Sequence, residues 1–306
     1  MCLRASLLHI KGILDIISAY SQELEGICLL VLEAHTGSVS ALTALPDDKL
    51  ASGSDDKTVR VWDASSGECL LTLTGHTHWV TALAVLPNGN LASGSYDKTV
   101  RVWDLASGAC SLTLVGHAYS VQALAVLPDA KLAAGAGDGI VRVWDLASGT
   151  CLLELDGHIY RVMALAVLPD GKLASASCDH TVRVWDIRSG ARLLTLTGHT
   201  LWVTALAVLP GGKLASGSAD TTVRVWDLAT GVCLLSLAHT SSVSSLAVLP
   251  DGKLASGSLD GTVWIWENDE CVLALTGHTK AVKSFAVLPN GNLASGSSDN
   301  TVRIWC

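Results

Sequence analysis

A serine, a histidine and an aspartate recur together along this chain. That trio is the equipment of acyl-transfer hydrolysis, with a hydroxyl nucleophile, an imidazole base and a carboxylate that orients the base. The complete sets are His35, Ser52 and Asp56; His76, Ser93 and Asp97; His158, Ser175 and Asp179; His199, Ser216 and Asp220; His239, Ser256 and Asp260; and His278, Ser295 and Asp299. In each set the histidine stands 27 residues, the serine ten and the aspartate six before a tryptophan: Trp62, Trp103, Trp185, Trp226, Trp266 and Trp305. One further copy keeps His117, Asp138 and Trp144 but has Ala134 where the serine should stand. An enzyme has no use for so many copies of one active site, so the repetition argues for architecture. The chemistry agrees: indole only donates, carboxylate only accepts, and hydroxyl and imidazole do both, so the four side chains can satisfy one another away from water.

Other catalytic signatures are missing. There is no G-x-S-x-G elbow, no H-E-x-x-H and no C-x-x-C, and "GGKL" at 211–214 lacks the spaced glycine and the hydroxyl after the lysine that a phosphate loop needs. Seven of the ten histidines belong to the repeated sets, which leaves His9, His78 and His180 scattered. Neither a metal nor a cofactor is expected.

The elements that position these residues follow from the period. The seven tryptophans are 41, 41, 41, 41, 40 and 39 residues apart, and the shortening falls wholly between a Trp and the next His. Within a unit, "VTALAVL" ends at Pro-Asn-Gly, "NLASGS" and "TVRVWD" flank a tight "YDK" turn, and "LASG" leads into "CSLTL". These are four short strands joined by turns, with no helical stripe of ten residues. One such sheet cannot bury both faces, so the units must stack, and seven arranged radially close into a ring. With "GH" at 75, 116, 157, 198 and 277, and "WD" at 62, 103, 144, 185 and 226, residues 26–306 resemble the WD40 repeat family. Ala34 and Ala238 replace the Gly of "GH", and the last two units end "WE" and "WC".

The resemblance implies an all-β, seven-bladed propeller of four-stranded antiparallel blades, in which Trp, Ser, His and Asp form a buried relay. "GICLLVLEAH" at 26–35 aligns with "GECLLTLTGH" at 67–76, so the N-terminal strand is expected to complete the last blade and close the ring. Residues 1–25 read as a separate amphipathic helical extension, because Leu3, Leu7, Ile10, Leu14, Ile17 and Leu24 keep 3/4 spacing. His9, Lys11 and Asp15 interrupt the uncharged run that a signal peptide needs. This stretch is expected to pack on the rest of the chain or to end an upstream domain, with self-association as the alternative.

Composition narrows the function. A net charge of -8 opposes nucleic-acid binding, and no stretch reads as a membrane span. Nine cysteines, most of them one period apart, suggest buried reduced thiols and hence a cytoplasmic or nuclear protein.

Partner choice must lie in what does not repeat. The two residues after His-x are Gly37-Ser38, His78-Trp79, Tyr119-Ser120, Tyr160-Arg161, Leu201-Trp202, Ser241-Ser242 and Lys280-Ala281, and the residue before each Asp adds Tyr96, Cys178 and Leu259. His78, Trp79, Tyr96, Tyr119, Tyr160, Arg161, Leu201 and Trp202 therefore crowd one arc of the face that carries the relays, and such residues suit protein contacts. Trp264 replaces the Arg found two before every other repeat Trp (Arg60, Arg101, Arg142, Arg183, Arg224, Arg303), which points to packing. The leading expectation is a non-catalytic scaffold that binds a protein or peptide. A ubiquitin-pathway receptor or ubiquitin-binding propeller is the narrower alternative, and an RNA-binding propeller or an enzyme the less favoured one. A single arginine on the arc, Arg161, is too few for a phosphopeptide reader.

Overall fold

The computed structural model describes residues 26–306. Seven four-stranded antiparallel sheets make up the ring. In blade 1, strand a is Val39–Leu45, b is Lys49–Ser54, c is Val59–Asp63 and d is Cys69–Leu73. Strand a of the next six blades opens at Val80, Val121, Val162, Val203, Val243 and Val282. The helix expected over residues 1–25 lies outside the described residues.

The ring closes as the sequence implied. Strand d of blade 7 is Cys28–Glu33, which pairs antiparallel with strand c, Thr301–Trp305, in the register Val31↔Arg303 and Glu33↔Thr301. The Gly26 N–H also donates to the Cys306 carbonyl at 2.7 Å.

Each blade alternates along its inner strands and is buried along strand b, so its apolar faces meet those of its neighbours. The seven apolar clusters each join residues of two adjacent blades, for example Leu86 and Ala92 of blade 2 with Leu132 and Trp144 of blade 3. Close approach is built in at Gly53 of strand b: a Cβ there would meet Val80 Cγ1 of the next blade at 2.7 Å. Hydrogen bonds add to this packing, with the Thr81 hydroxyl donating to the Val121 carbonyl and Thr204 to Val243, both at 2.6 Å.

The two shortened repeats are accommodated differently. Before His239 one residue is lost at the end of strand d, Cys233–Ala238, and the His239 N–H joins the sheet by donating to Thr221 O at 2.8 Å. Before His278 two residues are lost from the c–d connection, which contracts to a hairpin around Asn268 and Asp269 with Asn268 at φ 56°.

The cysteines correct an expectation. None of the eight among the described residues is buried, and all are free thiols. Six open or nearly open an outer d strand, where the edge faces solvent. In four blades an arginine of strand c points Nη1 at the sulfur, as Arg60 does at Cys69 (3.6 Å) and Arg101 at Cys110 (3.7 Å). Their burial therefore says nothing about compartment.

Candidate functional site

The relay residues come together from three elements. The histidine lies just after strand d of the preceding repeat, the serine in strand b, the aspartate in the b–c turn and the tryptophan in strand c. In blades 1, 2, 4, 5 and 7 the imidazole Nδ1 stands 2.7–2.9 Å from the aspartate Oδ2. Its Nε2 stands 2.7–2.8 Å from the serine Oγ. The indole N–H donates to that same oxygen at 2.7–2.8 Å. The carboxylate can only accept, so the imidazole proton sits on Nδ1 and is aimed at it; the unprotonated Nε2 then accepts from the serine hydroxyl, whose oxygen accepts from indole.

The carboxylates register this. Burial pushes Asp97 up, but bonds from His76 and Thr99 overcome it and hold the carboxyl well below the usual range. Asp220 and Asp299 are likewise brought down to about 2 against burial, chiefly by the hydroxyls of Thr222 and Thr301 and by their histidines.

These distances are those of a hydrolytic triad, yet the nucleophile has no access. Ser52, Ser93, Ser175, Ser216 and Ser295 are all fully buried, and each oxygen is already bonded to indole and imidazole. A substrate carbonyl has nowhere to stand, since catalysis needs a reacting atom about 3 Å from the nucleophile.

Two blades depart. In blade 3 the missing hydroxyl leaves His117 Nε2 and Trp144 Nε1 buried without partners. Asp138 makes no hydrogen bond to His117. Arg142 has swung inward instead, bonding Asp138 Oδ2 at 2.9 Å and Glu154 at 2.8 Å, with its Nη1 3.2 Å from His117 Nδ1. Burial, together with the Arg142 charge, pushes the His117 pKa down to about 4.

In blade 6 the expected set is only partly assembled. Ser256 bonds both His239 Nε2 and Trp266 at 2.7 Å, but Asp260 turns to Thr240 and Ser258 and leaves His239 Nδ1 buried without a partner. The causes are local: the lost residue draws His239 into the strand ladder, and Trp264 lies stacked on Trp266 (5.5 Å, 22°) and 4.9 Å from His239. Burial pushes His239 down to about 4, with only Asp260 opposing.

The varying residues surround the mouth of the central channel, a cavity of about 670 Å³. Seven of its lining residues occupy one repeat position, directly after the buried valine that opens strand a: Ser40, Thr81, Gln122, Met163, Thr204, Ser244 and Lys283. That common position identifies the cavity as axial. Of the sequence candidates, Trp79, Tyr96 and Trp202 line it, Trp79 and Trp202 with 42% and 56% of their surface exposed. His78 is brought to them, stacked on Tyr96 at 5.5 Å, while Trp79 lies 5.0 Å from Tyr96. Tyr119, Tyr160, Arg161 and Leu201 are exposed but lie outside the lining.

The candidates named from the sequence left out Asp55 and Lys283, which also line the cavity. Burial pushes the Asp55 carboxyl up, against a Ser40 hydrogen bond of 3.1 Å and the Lys283 charge. The surrounding wall pushes the Lys283 ammonium down, with Asp55 opposing. The signal for Lys283 was present: it is the one charge at a repeat position otherwise held by Ser, Thr, Gln and Met.

Among the described residues no cluster of His, Cys, Asp or Glu could hold a metal ion, and no helix is long and apolar enough to cross a membrane.

A closed ring of seven blades, with its polar relays sealed inside and an aromatic-lined axial mouth, defines the class: a β-propeller. The particular family follows from seven matches to the WD domain, G-beta repeat (WD40), at residues 26–63, 67–104, 108–145, 149–186, 190–227, 231–267 and 269–306, and the chain belongs to it. Curated proteins gave no match. Propellers of this family generally act as scaffolds for protein interaction.

Proposed function

We propose that this chain is a non-catalytic scaffold whose relay-bearing face grips a peptide segment of another protein at the channel mouth. The observation that carries the reading is the exposure of Trp79 and Trp202 around one axial cavity, with Tyr96 beside Trp79 in the lining. Large aromatics left open to water at a concave polar-rimmed site are the composition of binding hot spots. The relays supply rigidity, and the residues that differ from blade to blade supply choice.

The test is affinity capture by the wild-type chain, by Trp79→Ala/Trp202→Ala and by Leu152→Ala/Leu193→Ala, whose sites lie on the outer strands. A protein retained by the wild type and the outer-strand variant, and lost with the double tryptophan variant, is the expected result. Retention on RNA at low salt, with protein capture unaffected by the tryptophan variant, would replace this reading with a nucleic-acid one.

A further inference from the structure

The axial cavity carries its charge on one side. Among the described residues that line it, Asp55 and Lys283 are the charged ones, and they come from the adjoining blades 1 and 7. Trp79 and Tyr96 belong to blade 2 and Trp202 to blade 5.

Most of the polar side chains in the axial ring are already committed to the protein. Ser40 donates to Asp55 at 3.1 Å and Gln122 to Ser120 at 2.8 Å. Thr81, Thr204 and Ser244 donate to the carbonyls of Val121, Val243 and Val282 in the next blade. Met163 has no proton to give. Lys283 differs, being exposed and making no hydrogen bond or ion-pair contact among the described residues, so that Asp55 acts on it through its field alone. Its three N–H groups are the donors of this ring that remain free for an occupant.

Height along strand a separates the two kinds of group. Trp79 and Trp202 precede the buried valine that opens the strand, whereas Lys283 follows it, which sets the lysine backbone two strand residues deeper, roughly 7 Å. The rim residues that correspond to the tryptophans are Ala281 in blade 7 and Ser38 in blade 1. The wall is therefore low where the charges lie and high at blades 2 and 5. A peptide resting on the tryptophans keeps its backbone at the rim while one side chain descends past Ala281 toward the ammonium.

Charge decides what that side chain is. The wall that pushes the Lys283 ammonium down has already taken water from it, so pairing with an anion costs less desolvation than it would at a free lysine. A carboxylate brings one negative charge and a phosphate nearly two, and the field of Asp55 opposes the second. A lone lysine also lacks the planar fork with which arginine grips phosphate.

We propose that the channel mouth selects peptide segments in which a glutamate or aspartate stands close to an apolar residue, the acid pairing with Lys283 and the apolar side chain resting on the rim tryptophans. This rests on the reading of the mouth as a peptide site and names what that site chooses.

The experiment pans the full 306-residue chain against a displayed library of random peptides. Wild type, Lys283→Gln, Lys283→Arg and Trp79→Ala/Trp202→Ala are compared, with Lys172→Gln on the opposite face as the charge-matched control. Glutamine already holds this repeat position in blade 3, so Lys283→Gln keeps the fold, which an unchanged thermal midpoint checks. Acidic–apolar sequences are expected from the wild type, Lys283→Arg and Lys172→Gln, not from Lys283→Gln, and no enrichment from the double tryptophan variant. Selected peptides, resynthesised with blocked termini, should bind the wild type about tenfold more tightly than versions with the acid replaced by its amide, and Lys283→Gln should bind both versions alike. Phosphoserine in place of the acid should bind more weakly than the acid. Enrichment of neutral sequences, an acidic preference that survives Lys283→Gln, loss of binding on blocking the terminal carboxylate, or tighter binding of phosphoserine each overturns the proposal. In those cases the peptide site stands as long as the double tryptophan variant abolishes enrichment, whereas no enrichment on the wild type overturns both.

Discussion

Substituting Ala134 by serine restores the one relay hydroxyl that blade 3 lacks, and the surrounding geometry sets how much this can stabilise. Arginine can only donate, so with Arg142 Nη1 at 3.2 Å the His117 Nδ1 must accept, and the ring proton sits on Nε2. Nε2–H and the Trp144 indole N–H are then two buried donors that face Ala134 with no acceptor. A serine Oγ accepts both, each net hydrogen bond contributing about 0.5–1.5 kcal/mol. The gain is reduced because the new hydroxyl proton has no acceptor while Nε2 is protonated, a cost of about 1 kcal/mol or more. The alternative is to move the ring proton to Nδ1, which requires Arg142 to withdraw from it. The balance is about +1 kcal/mol, or roughly 2–4 °C in midpoint. Space is not limiting, since serine occupies this fully buried position in six blades. Ala134→Val, which adds volume without an acceptor, is expected to lower the midpoint. Differential scanning calorimetry of the three proteins decides it: an unchanged or lower midpoint for Ala134→Ser, with far-ultraviolet dichroism intact, would refute the account of the relay as a hydrogen-bond chain.

Further expectations rest on the same groups. Burial holds His117 and His239 near pKa 4, and the histidine of an unfolded chain near 6.5, so the unfolded state binds more protons between these values. Stability is therefore complete above pH 6.5 and falls as pH drops toward 4, by roughly 2–4 kcal/mol for each residue, with a second loss below about 3.8 as Asp220 and Asp299 protonate. Urea midpoints measured from pH 8 to pH 4 should decline monotonically, and a flat profile between 6.5 and 4.5 would contradict the burial of neutral imidazoles. Aspartate truncation should separate the blades: Asp97→Ala breaks a 2.7 Å bond to His76, whereas Asp260→Ala breaks none to histidine. The first should cost about 2 kcal/mol more in urea titration, the range of a hydrogen bond to a charged group, and equal losses would mean that the imidazole bond contributes nothing.

The sequence carried the ring because repetition separates what every blade needs from what one blade happens to have. Recurrent Trp, Ser and His positions located the strands, and the displaced copy "GICLLVLEAH" located the closing strand. The same method could not see choices among competing partners. Arg142 is one of six arginines at its repeat position, and it is the one that hydrogen-bonds two carboxylates, because only blade 3 offers Asp138 freed from its histidine and Glu154 at the facing position of strand d. Asp260 satisfied every spacing rule and still leaves His239, since a deletion of one residue moves a backbone by more than a hydrogen bond tolerates. The cysteines misled for a similar reason: periodic apolar residues suggest burial, but strand d is a sheet edge whose side chains alternate between the seam and solvent.

What unites these departures is that each defect is answered locally and leaves its neighbours intact. Blade 3 loses a hydroxyl and gains a paired arginine; blade 6 loses an arginine and gains an indole stack. In a stacked array each unit contacts only the two beside it, so a substitution is compensated within one seam or not at all. The repeated interior can then hold the ring together while the axial rim changes freely: Lys283, Asp55 and the tryptophans occupy positions where the other blades carry residues as different as serine, glutamine, methionine, leucine and arginine, with no change in strand register. Separation of the load-carrying relay from the varying rim is what allows seven near-copies to present one asymmetric face.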